Sequence, residues 1–419
     1  MSYDLVVMGQ GYVGLPLAQE AVKSGLRVAG YDPNIGTVEQ LNREISHVDD
    51  VSDDDIAVMR AAGYTATYNQ EVLSDTANIV ICVPTPLSEG GAPDLRAIIA
   101  ASEAIARNLT PNTLVVLEST TYPGTTEEVV LPILESSGLI HGTDFFLAFS
   151  PERIDPGNKK FGFRNTPKVV GGVTSASTIR ATEFYESIVD TVVPTKGAKE
   201  AETAKLLENT YRHVNIALVN EMSKFCHELG IDLWDVIGAA KTKPFGFQAF
   251  YPGPGVGGHC IPIDPNYLSF EVRKRLNYPF RFVELAEEIN NSMPTYVTQR
   301  IQSLLNSNMQ SLNGSRVLLL GVTYKADIAD QRESPASEIA DLLEKQGAVV
   351  DYHDPYVSDW LAPVTAKKCV NDLDAAAADA DVVVLLQSHA EYDTDRLAGA
   401  SRIFFDTRGS VSEGLGTRI

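Results

Sequence analysis

Residues 5–14 read Leu-Val-Val-Met-Gly-Gln-Gly-Tyr-Val-Gly, a short apolar run followed by glycines at every position of a GxGxxG pattern. The apolar run predicts a buried strand, and the periodicity of residues 15–24 predicts a helix directly after the glycines. A second short strand, Val28–Tyr31, ends at Asp32-Pro33. The three elements form a βαβ unit whose turn is suited to a dinucleotide pyrophosphate.

The glycines and the acid predict the cofactor. Glycine allows the tight turn and the close approach of the backbone to a pyrophosphate, which the helix N-terminus then favours. Asp32 lies where a carboxylate accepts hydrogen bonds from ribose hydroxyls and repels a 2′-phosphate, so we expect NAD rather than NADP. The expected contacts from this unit are Gly9, Gly11, Tyr12, Val13, Gly14 and Asp32.

Further apolar runs predict strands at residues 79–83, 114–117 and 145–148, separated by helical stretches. Such alternation predicts a parallel, doubly wound sheet, in which ligands bind at the carboxyl ends of the strands. Thr85 and Thr120 each follow a strand and are candidate cofactor contacts. The alternative is that both threonines serve only as turn residues.

A long helix is predicted at residues 201–229, which contain neither glycine nor proline. We interpret it as a connector and a dimer surface, the alternative being a helix buried within one domain. Residues 317–355 then repeat the strand, helix, strand and Asp-Pro order of residues 5–33 without the GxGxxG turn. The prediction is an α/β chain with two Rossmann-like doubly wound domains (1–198 and 311–419) joined by a central helical segment (199–310).

Composition restricts the partners and the compartment. The formal net charge is −21, and an acidic surface repels nucleic acid and anionic membranes. No apolar run reaches the length of a membrane span, and the N-terminus does not resemble a signal peptide, so we expect a cytoplasmic protein. The four cysteines have no paired spacing, which argues against a zinc site or a disulfide framework.

Cys260 lies in a loop of glycines and prolines, residues 251–265, where packing gives no reason for a thiol. A thiol is chemically useful in a four-electron oxidation, because an aldehyde must become a tetrahedral adduct before it can give up a second hydride. Lys205 and Asn209 share one helix face and could stabilise an oxyanion. Glu152, after another strand, could act as a base or hold a water, the alternative being a solvated loop acid. Taken alone, the Lys205–Asn209 pair is more typical of a solvated helix face.

With these motifs in order, the chain resembles the nucleotide-sugar 6-dehydrogenases, the family of UDP-glucose and UDP-N-acetylhexosamine dehydrogenases. The resemblance runs nearly from end to end. It implies a homodimer and a UDP-sugar substrate. Its markers are Gly9–Gly14 with Asp32, Val83–Pro86, Ser119-Thr120, Ser150–Arg153, Lys205 with Asn209, Gly257–Asp264, Gly321–Lys325 and Arg332–Ser334.

The resemblance implies roles for individual residues. Cys260 resembles the nucleophile that carries a thiohemiacetal and then a thioester, and Lys205 resembles the oxyanion stabiliser. Thr120 resembles the threonine that positions the catalytic water, and Arg332 the arginine that reaches the cofactor. The implied catalytic residues are Cys260, Lys205, Asn209, Asp264, Glu152 and Thr120, and the implied substrate contacts are Glu152, Arg153, Lys205, Asn209, Tyr251, Gly257 and Lys325.

Two motifs are similar to those of one branch of the family. Residues 150–158 read Ser-Pro-Glu-Arg-Ile-Asp-Pro-Gly-Asn, and residues 258–264 read Gly-His-Cys-Ile-Pro-Ile-Asp. Both resemble the UDP-N-acetylglucosamine 6-dehydrogenases, with UDP-N-acetylmannosamine and UDP-glucose as the alternative substrates. A second glutamate and a partner-subunit arginine of the glucose enzymes align near Pro156 and Pro244. A non-catalytic binding protein or a simple two-electron reductase could share this fold, but neither explains Cys260.

Overall fold

The computed structural model of the protein describes residues 3–48, 50–87, 92–155, 158, 160–258, 261, 263–361 and 366–419. Contacts between residues divide the chain into two units. The first is Met1–Glu208 with Asn266–Tyr278, and the second is Asn209–Pro265 with Pro279–Ile419. The division into three domains at residues 198 and 310 stays a prediction.

The first unit is built on one eight-stranded sheet. Its strands are β1 (Leu5–Met8), β2 (Val28–Tyr31), β3 (Thr65–Thr67), β4 (Asn78–Ile81), β5 (Leu114–Leu117), β6 (Phe146–Phe149), β7 (Lys168–Gly172) and β8 (Val192–Pro194). The strand order is β3-β2-β1-β4-β5-β6-β7-β8. The first six strands have the order of a dinucleotide-binding fold, in which the strand order reverses between the parallel neighbours β1 and β4. The predicted α/β class is confirmed.

Helices cover both faces of this sheet, as β1 illustrates. Leu5 and Val7 belong to one apolar cluster and Val6 and Met8 to another, because successive strand side chains point to opposite faces. All four are fully buried. The helices are α1 (Gly14–Lys23), α2 (Ile35–Asn42), α3 (Asp53–Ala61), α4 (Arg96–Asn108), α5 (Leu131–Glu135) and α6 (Ser175–Glu186).

One strand pair departs from the predicted parallel sheet. β6 and β7 pair antiparallel, with Phe149 opposite Gly171. A parallel pair needs a crossover connection that is usually a helix, and the described residues between 150 and 167 form no helix. The chain therefore turns back beside β6, which corrects the prediction at this edge of the sheet.

The central part of the chain is helical, with α7 (Ala198–Glu228), α8 (Leu233–Ala240), α9 (Asp264–Leu276), α10 (Arg281–Asn291) and α11 (Met293–Ser307). The 31-residue α7 confirms the long helix, and it ends just before Gly230, whose φ is +69°. Within the described ranges, no helix combines the length and apolar character needed to cross a bilayer.

The second unit contains a five-stranded parallel sheet in the order β10-β9-β13-β14-β15, with a separate β11–β12 hairpin. Helices α12 and α14 pack on this sheet through the apolar clusters of the unit. The elements are β9 (Arg316–Leu320), α12 (Pro335–Lys345), β10 (Val349–His353), β11 (Asp359–Leu361), β12 (Ala366–Lys368), α13 (Leu373–Asp379), β13 (Val382–Leu385), α14 (Thr394–Ala400), β14 (Phe404–Asp406) and β15 (Thr417–Arg418).

The repeat seen in the sequence is also a repeat of geometry. Gly9 after β1 has φ +90°, and Gly321 after β9 has φ +76°. A Cβ added to Gly9 would lie 2.6 Å from the Cys82 oxygen, and one added to Gly321 would lie 2.4 Å from the Gln387 oxygen. Both turns therefore require glycine, because the next strand of the sheet passes too close for any side chain.

The acid at the end of the second strand is repeated as well, but its surroundings differ. Asp32 accepts a hydrogen bond from the Gln10 N–H at 2.9 Å, and Asp354 accepts one from the Val322 N–H at 2.7 Å. Asp354 is buried and pairs with His389 Nε2 at 3.1 Å. The Asp354 carboxylate is therefore covered by protein, whereas Asp32 keeps partial exposure.

Candidate active site

The turn between β1 and α1 has one crowded side and one open side. A Cβ on Gly14 would lie 1.9 Å from the Gly9 oxygen, so the helix packs directly on the turn. A Cβ on Gly11 would meet no heavy atom within 4 Å, so the backbone there is accessible to a ligand. Tyr12 is 40% exposed beside it, and Val13 packs against the apolar cluster of the first unit.

Asp32 completes this nucleotide site. Its Oδ2 accepts the Gln10 N–H and its Oδ1 accepts the Asn34 N–H, both at 2.9 Å. These bonds fix the carboxylate beside the glycine turn and leave lone pairs for further donors. The accessible turn and the fixed acid fit a dinucleotide whose ribose hydroxyls donate to Asp32.

Thr85 and Thr120 lie in loops that are held by hydrogen bonds to other residues of the first unit. The Tyr267 hydroxyl donates to the Thr85 main-chain oxygen. The Ser119 hydroxyl donates to the Val83 oxygen at 2.7 Å, which ties the Thr120 loop to the loop after β4. Contacts of either threonine with a cofactor stay a prediction.

A buried acid on α7 holds the same Thr120 loop. The Glu202 carboxylate accepts the Gly124 N–H at 2.5 Å and both the N–H and the hydroxyl of Thr126, at 2.9 and 2.6 Å. Burial raises the pKa of Glu202 to about 7. Glu202 precedes Lys205 by one helical turn, so this part of α7 fixes one loop and presents a lysine.

Lys205 and Glu152, two of the predicted site residues, are in contact in the first unit. The Lys205 ammonium donates to the Glu152 main-chain oxygen at 2.7 Å, and Lys205 is 9% exposed. The Glu152 Oε1 accepts the N–H groups of Arg153 and Ile154 at 2.7 and 2.5 Å. Arg153 pairs with Glu208 at 2.7 Å. Loop and helix thus hold a lysine and a carboxylate in fixed positions.

Asn209 and Asp264 come together in the second unit. The Asn209 amide donates to the Asp264 Oδ2, and Asp264 is the buried first residue of α9. Cys260, the predicted nucleophile, lies outside the described residues. The first residue of α9 is therefore held by a side chain of α7.

The glycines before Cys260 allow close packing within the second unit. A Cβ on Gly257 would lie 2.5 Å from the Glu333 oxygen and 2.8 Å from the Tyr324 Cβ. Gly258 has φ +86°, and a Cβ there would lie 2.7 Å from the Tyr324 ring. Gly257 and Gly258 therefore pack against Tyr324, the residue before Lys325.

A hydrogen-bonded network of two buried amides and a buried histidine holds Gly253 of the glycine loop. The Gly253 N–H donates to Asn220 Oδ1 at 3.0 Å, and the Asn220 amide donates to Asn290 Oδ1 at 2.9 Å. The Asn290 amide in turn lies 3.4 Å from His213 Nδ1. All three side chains are buried, so each depends on its neighbour for a hydrogen-bond partner. The sequence motifs do not predict this network. His213 and Asn220 are seven residues apart on α7 and therefore lie on the same buried face, which is the signal that could have indicated it.

This network predicts acid sensitivity of the second unit. Burial lowers the pKa of His213 to about 4. Between the ordinary histidine pKa and that value, the unfolded chain binds a proton that the folded chain does not, so stability is lost as the pH falls. We expect urea denaturation to show a loss of up to about 3 kcal/mol at His213 between pH 6.5 and 4.

The control for this prediction lies at the other end of the same helix. A His213→Leu variant should lack that part of the pH dependence, whereas a variant at the exposed His227 should retain it. Equal pH dependence in the wild type and His213→Leu would contradict the assignment.

The remaining predicted contacts lie in the second unit. The loop with Lys325 is held by the Thr323 hydroxyl, which donates to the Lys325 oxygen at 2.8 Å. Arg332 is exposed and pairs with Asp330 at 2.6 Å. The Tyr251 ring stacks on Trp234, with centroids 5.4 Å apart. Their contacts with cofactor or substrate stay predictions.

Comparison with known sequences identifies the family. Sequence profiles of the UDP-glucose/GDP-mannose dehydrogenase family match its NAD binding domain to residues 3–189, its central domain to 199–292 and its UDP binding domain to 318–413. The chain belongs to this family. It is an NAD-dependent UDP-sugar dehydrogenase, which confirms the predicted family, reaction class and cofactor.

Individual relatives cover most of the chain. A UDP-N-acetyl-D-mannosamine dehydrogenase of Methanocaldococcus jannaschii is 34% identical over 98% of this chain and 93% of its own length. A UDP-N-acetyl-D-glucosamine 6-dehydrogenase of Pseudomonas aeruginosa is 37% identical over 84% of this chain and 83% of its own length. The structure of a UDP-D-ManNAc dehydrogenase from Pyrococcus horikoshii aligns with TM-score 0.90 and 30% identity, covering 100% of this chain and 99% of that one.

The Asp32 geometry predicts cofactor discrimination in this dehydrogenase. Asp32→Asn keeps an oxygen for the Gln10 N–H but removes the charge that strengthens a ribose hydrogen bond. We expect the KM for NAD to rise about tenfold and the preference for NAD over NADP to shrink. Steady-state kinetics with both cofactors measure this, with Asp54→Asn, an exposed acid of α3, as the control. An unchanged NAD/NADP ratio in Asp32→Asn would refute the assignment.

Proposed function

We propose that the enzyme oxidises C6 of UDP-N-acetylglucosamine to the carboxylate, using two NAD per sugar. The observation that carries the proposal is that the Lys205 ammonium is fixed on the Glu152 main-chain oxygen while main-chain N–H groups fix the Glu152 carboxylate, beside a family assignment that supplies the reaction class. The choice of sugar rests on the motifs at residues 150–158 and 258–264 and on the Pseudomonas aeruginosa relative.

The reaction consists of two oxidations and a hydrolysis. The C6 alcohol loses a proton and a hydride to become an aldehyde, and the Cys260 thiolate then adds to that aldehyde. The adduct loses a second hydride to become a thioester, and water cleaves the carbon–sulfur bond to release the carboxylate and the thiolate. NAD supplies the hydride acceptor in both oxidations. The balance is one alcohol, one water and two NAD giving one carboxylate, two NADH and three protons.

The described residues supply charge and position at each stage. The Lys205 ammonium stabilises the negative oxygen on C6, as a fixed donor does in an oxyanion site. The Asn209 amide, oriented by Asp264, donates beside it. Glu152 assists the hydrolysis by taking a proton from the attacking water, and Thr120 positions that water.

Substrate binding is assigned to the second unit and to the Glu152 segment. Lys325 contacts the diphosphate, and the Gly257 backbone and the Tyr251 ring contact the nucleotide sugar. Arg153 of the Glu152 segment is also assigned to the substrate, and Arg332 is assigned to the cofactor. A local basic group such as Lys325 is needed because the net charge of −21 otherwise repels a diphosphate.

UDP-N-acetylmannosamine is the second candidate substrate. The relatives from Methanocaldococcus jannaschii and Pyrococcus horikoshii, both named for mannosamine, align over nearly the whole chain. The two sugars differ only in configuration at C2, so one pocket contact decides between them. UDP-glucose, which lacks the N-acetyl group, is a weaker candidate.

One assay separates these substrates. NADH release is measured with UDP-N-acetylglucosamine, UDP-N-acetylmannosamine, UDP-N-acetylgalactosamine and UDP-glucose, and kcat/KM is compared. We expect the highest value with UDP-N-acetylglucosamine and two NADH per sugar. A higher value with another sugar replaces the substrate assignment, and one NADH per sugar overturns the four-electron scheme.

We also propose that the enzyme is a cytoplasmic homodimer. Four large apolar side chains of α7 and one directly after its last residue are exposed, and their spacing of four and seven residues puts them on one helix face. A second copy of the chain can cover this face in a two-fold symmetric contact, since such contacts are self-complementary. Light scattering should give twice the chain mass of 45.4 kDa. The residues are Leu207, Tyr211, Leu218, Phe225 and Leu229.

A further inference from the structure

A buried lysine lies beside the Glu152 segment in the first unit. Lys168 is the first residue of β7, and its side chain is 5% exposed. Its Nζ lies 2.9 Å from Glu118 Oε1 and 3.6 Å from Glu152 Oε2. Glu118 follows β5 and Glu152 follows β6, so one ammonium joins two strand-end loops of the sheet. Neither Lys168 nor Glu118 has a role in the mechanism above.

The surroundings of Lys168 keep its ammonium charged. The rings of Phe163 and Tyr185 lie 4.9 and 5.3 Å from its Nζ, and the Tyr185 hydroxyl donates to Glu118. Burial acts to lower the pKa of Lys168, but the Glu118 and Glu152 carboxylates outweigh burial and raise it. A full positive charge therefore lies in a low-dielectric site, where it acts strongly on its neighbours.

The Lys168 ammonium does not need the Glu152 carboxylate for neutralisation. Glu118 alone pairs with Lys168 at hydrogen-bond distance, and one carboxylate is enough to balance one ammonium. Glu152 uses Oε1 for two main-chain N–H groups, so Oε2 is the oxygen that faces the ammonium. Among the described residues, the titratable and charged groups around this Lys168–Glu152 contact include Glu118, Tyr185 and Cys82, together with Lys205, which donates to the Glu152 main-chain oxygen, and the adjacent Arg153.

We propose that Lys168 is a positioning residue for thioester hydrolysis: its ammonium faces Glu152 Oε2 while two main-chain N–H groups hold Oε1, so that the carboxylate keeps one orientation towards the attacking water. In that step the water oxygen bonds to the thioester carbonyl carbon, a water proton goes to Glu152, and the Cys260 sulfur leaves as thiolate. The inference rests on the proposed function, in which Glu152 acts at hydrolysis.

A pair of variants isolates the charge of Lys168 from its structural role. Lys168→Met alone would leave Glu118 as an unpaired buried carboxylate and so destabilise the fold. Glu118→Gln and the double variant Lys168→Met/Glu118→Gln avoid this, because neither contains the fully buried Glu118 carboxylate, and Glu152 keeps its two main-chain N–H bonds in both. The two differ only in the ammonium beside Glu152. Lys168→Arg, which keeps the charge, is the conservative control.

The measurement is the hydrolysis rate of the sugar–enzyme thioester between pH 5 and 9. The full enzyme is mixed with NAD and UDP-N-acetylglucosamine, and the covalent species is followed by intact-protein mass. An opposite charge at this distance lowers a carboxyl pKa by about 1–3 units, so we expect the acidic limb of the double variant to lie about 1–2 pH units above that of Glu118→Gln. The fast NADH burst, which precedes hydrolysis, should be unchanged, and Lys168→Arg should retain the wild-type limb.

The other outcomes separate a failure of the role of Lys168 from a failure of the proposed function. Coincident acidic limbs in Glu118→Gln and the double variant would overturn the role of Lys168 and leave the proposed function intact. A wild type that forms no covalent species and releases one NADH per sugar would overturn both. If the double variant does not fold, Glu118→Gln serves as the test, because among the described carboxylates its Lys168 ammonium then interacts with Glu152 alone. An acidic limb at or below the wild-type pH is then expected, and a limb above the wild-type pH would overturn the role of Lys168.

Discussion

Replacing Cys260 by alanine is expected to abolish formation of the carboxylate. Without a thiol the aldehyde has no nucleophile with which to form the adduct that loses the second hydride, so overall turnover should fall by about 10³-fold or more. Cys260→Ser should be nearly as slow, since a hydroxyl is a far weaker nucleophile than a thiolate. Rapid mixing with UDP-N-acetylglucosamine should show at most one NADH per bound sugar in Cys260→Ala.

The other cysteines provide the matched control. Cys82 and Cys226 are buried, so serine there would disturb packing, whereas Cys369 is only partly buried and belongs to the second unit. Cys369→Ser should keep two NADH per sugar and a covalent species detectable by mass. Carboxylate formed by Cys260→Ala at a wild-type rate would rule out the thioester route.

Much of the fold can be predicted from local pattern. The run of residues 5–8, the glycines and the acid at the end of the next strand specify β1, α1 and β2, because strand, turn and helix signals agree within one stretch. The absence of glycine and proline predicts α7 to within three residues of its start. The antiparallel β6–β7 pair was not predicted, because the direction of a strand depends on the length and structure of its connection rather than on its own residues.

Candidate site residues could be predicted only where a sequence motif itself indicates a chemical role. Lys205 and Glu152 are separated by 53 residues and are in contact, as the shared site requires. Glu118, Lys168 and Glu202 were not singled out as functional, because a buried polar group is recognised by its partners and these lie on distant strands and loops. Glu202 lies among buried positions of α7, and a polar residue at such a position is the signal that could have drawn attention to it.

The internal repeat shows why a matching pattern does not imply a matching site. Gly321 and Asp354 repeat the geometry of Gly9 and Asp32 closely. His389 nevertheless fills the position beside Asp354, and its Nδ1 accepts the Asp327 N–H at 3.0 Å. The second acid is thereby used to fix the Lys325 loop rather than to meet a ribose. The surroundings of the two acids therefore differ because of residue 389, which is far from the repeated motif in the sequence.

Replacing Lys205 by methionine is the second change with a large expected effect. Methionine keeps the length and burial of the side chain but removes the charge that stabilises the oxygen on C6. Loss of one fixed donor to a developing oxyanion costs about 10²–10³-fold, so kcat should fall by that factor. The KM for NAD should change little, because the glycine turn and Asp32 that are assigned to the cofactor are unaltered. Steady-state kinetics with saturating UDP-N-acetylglucosamine measure both values.

Lys205 also holds the Glu152 main chain, so a loss of activity could arise from a displaced loop rather than a missing charge. Chemical rescue separates these causes. In Lys205→Ala a small alkylammonium ion can enter the space of the side chain and return the charge, whereas it cannot rebuild a displaced segment. Lys199→Met, an exposed position two turns earlier that pairs with Glu127, should stay within about threefold of wild type. Activity of Lys205→Ala that no amine restores would assign the lysine to loop structure alone, because only a role for its charge predicts recovery that rises with ammonium concentration.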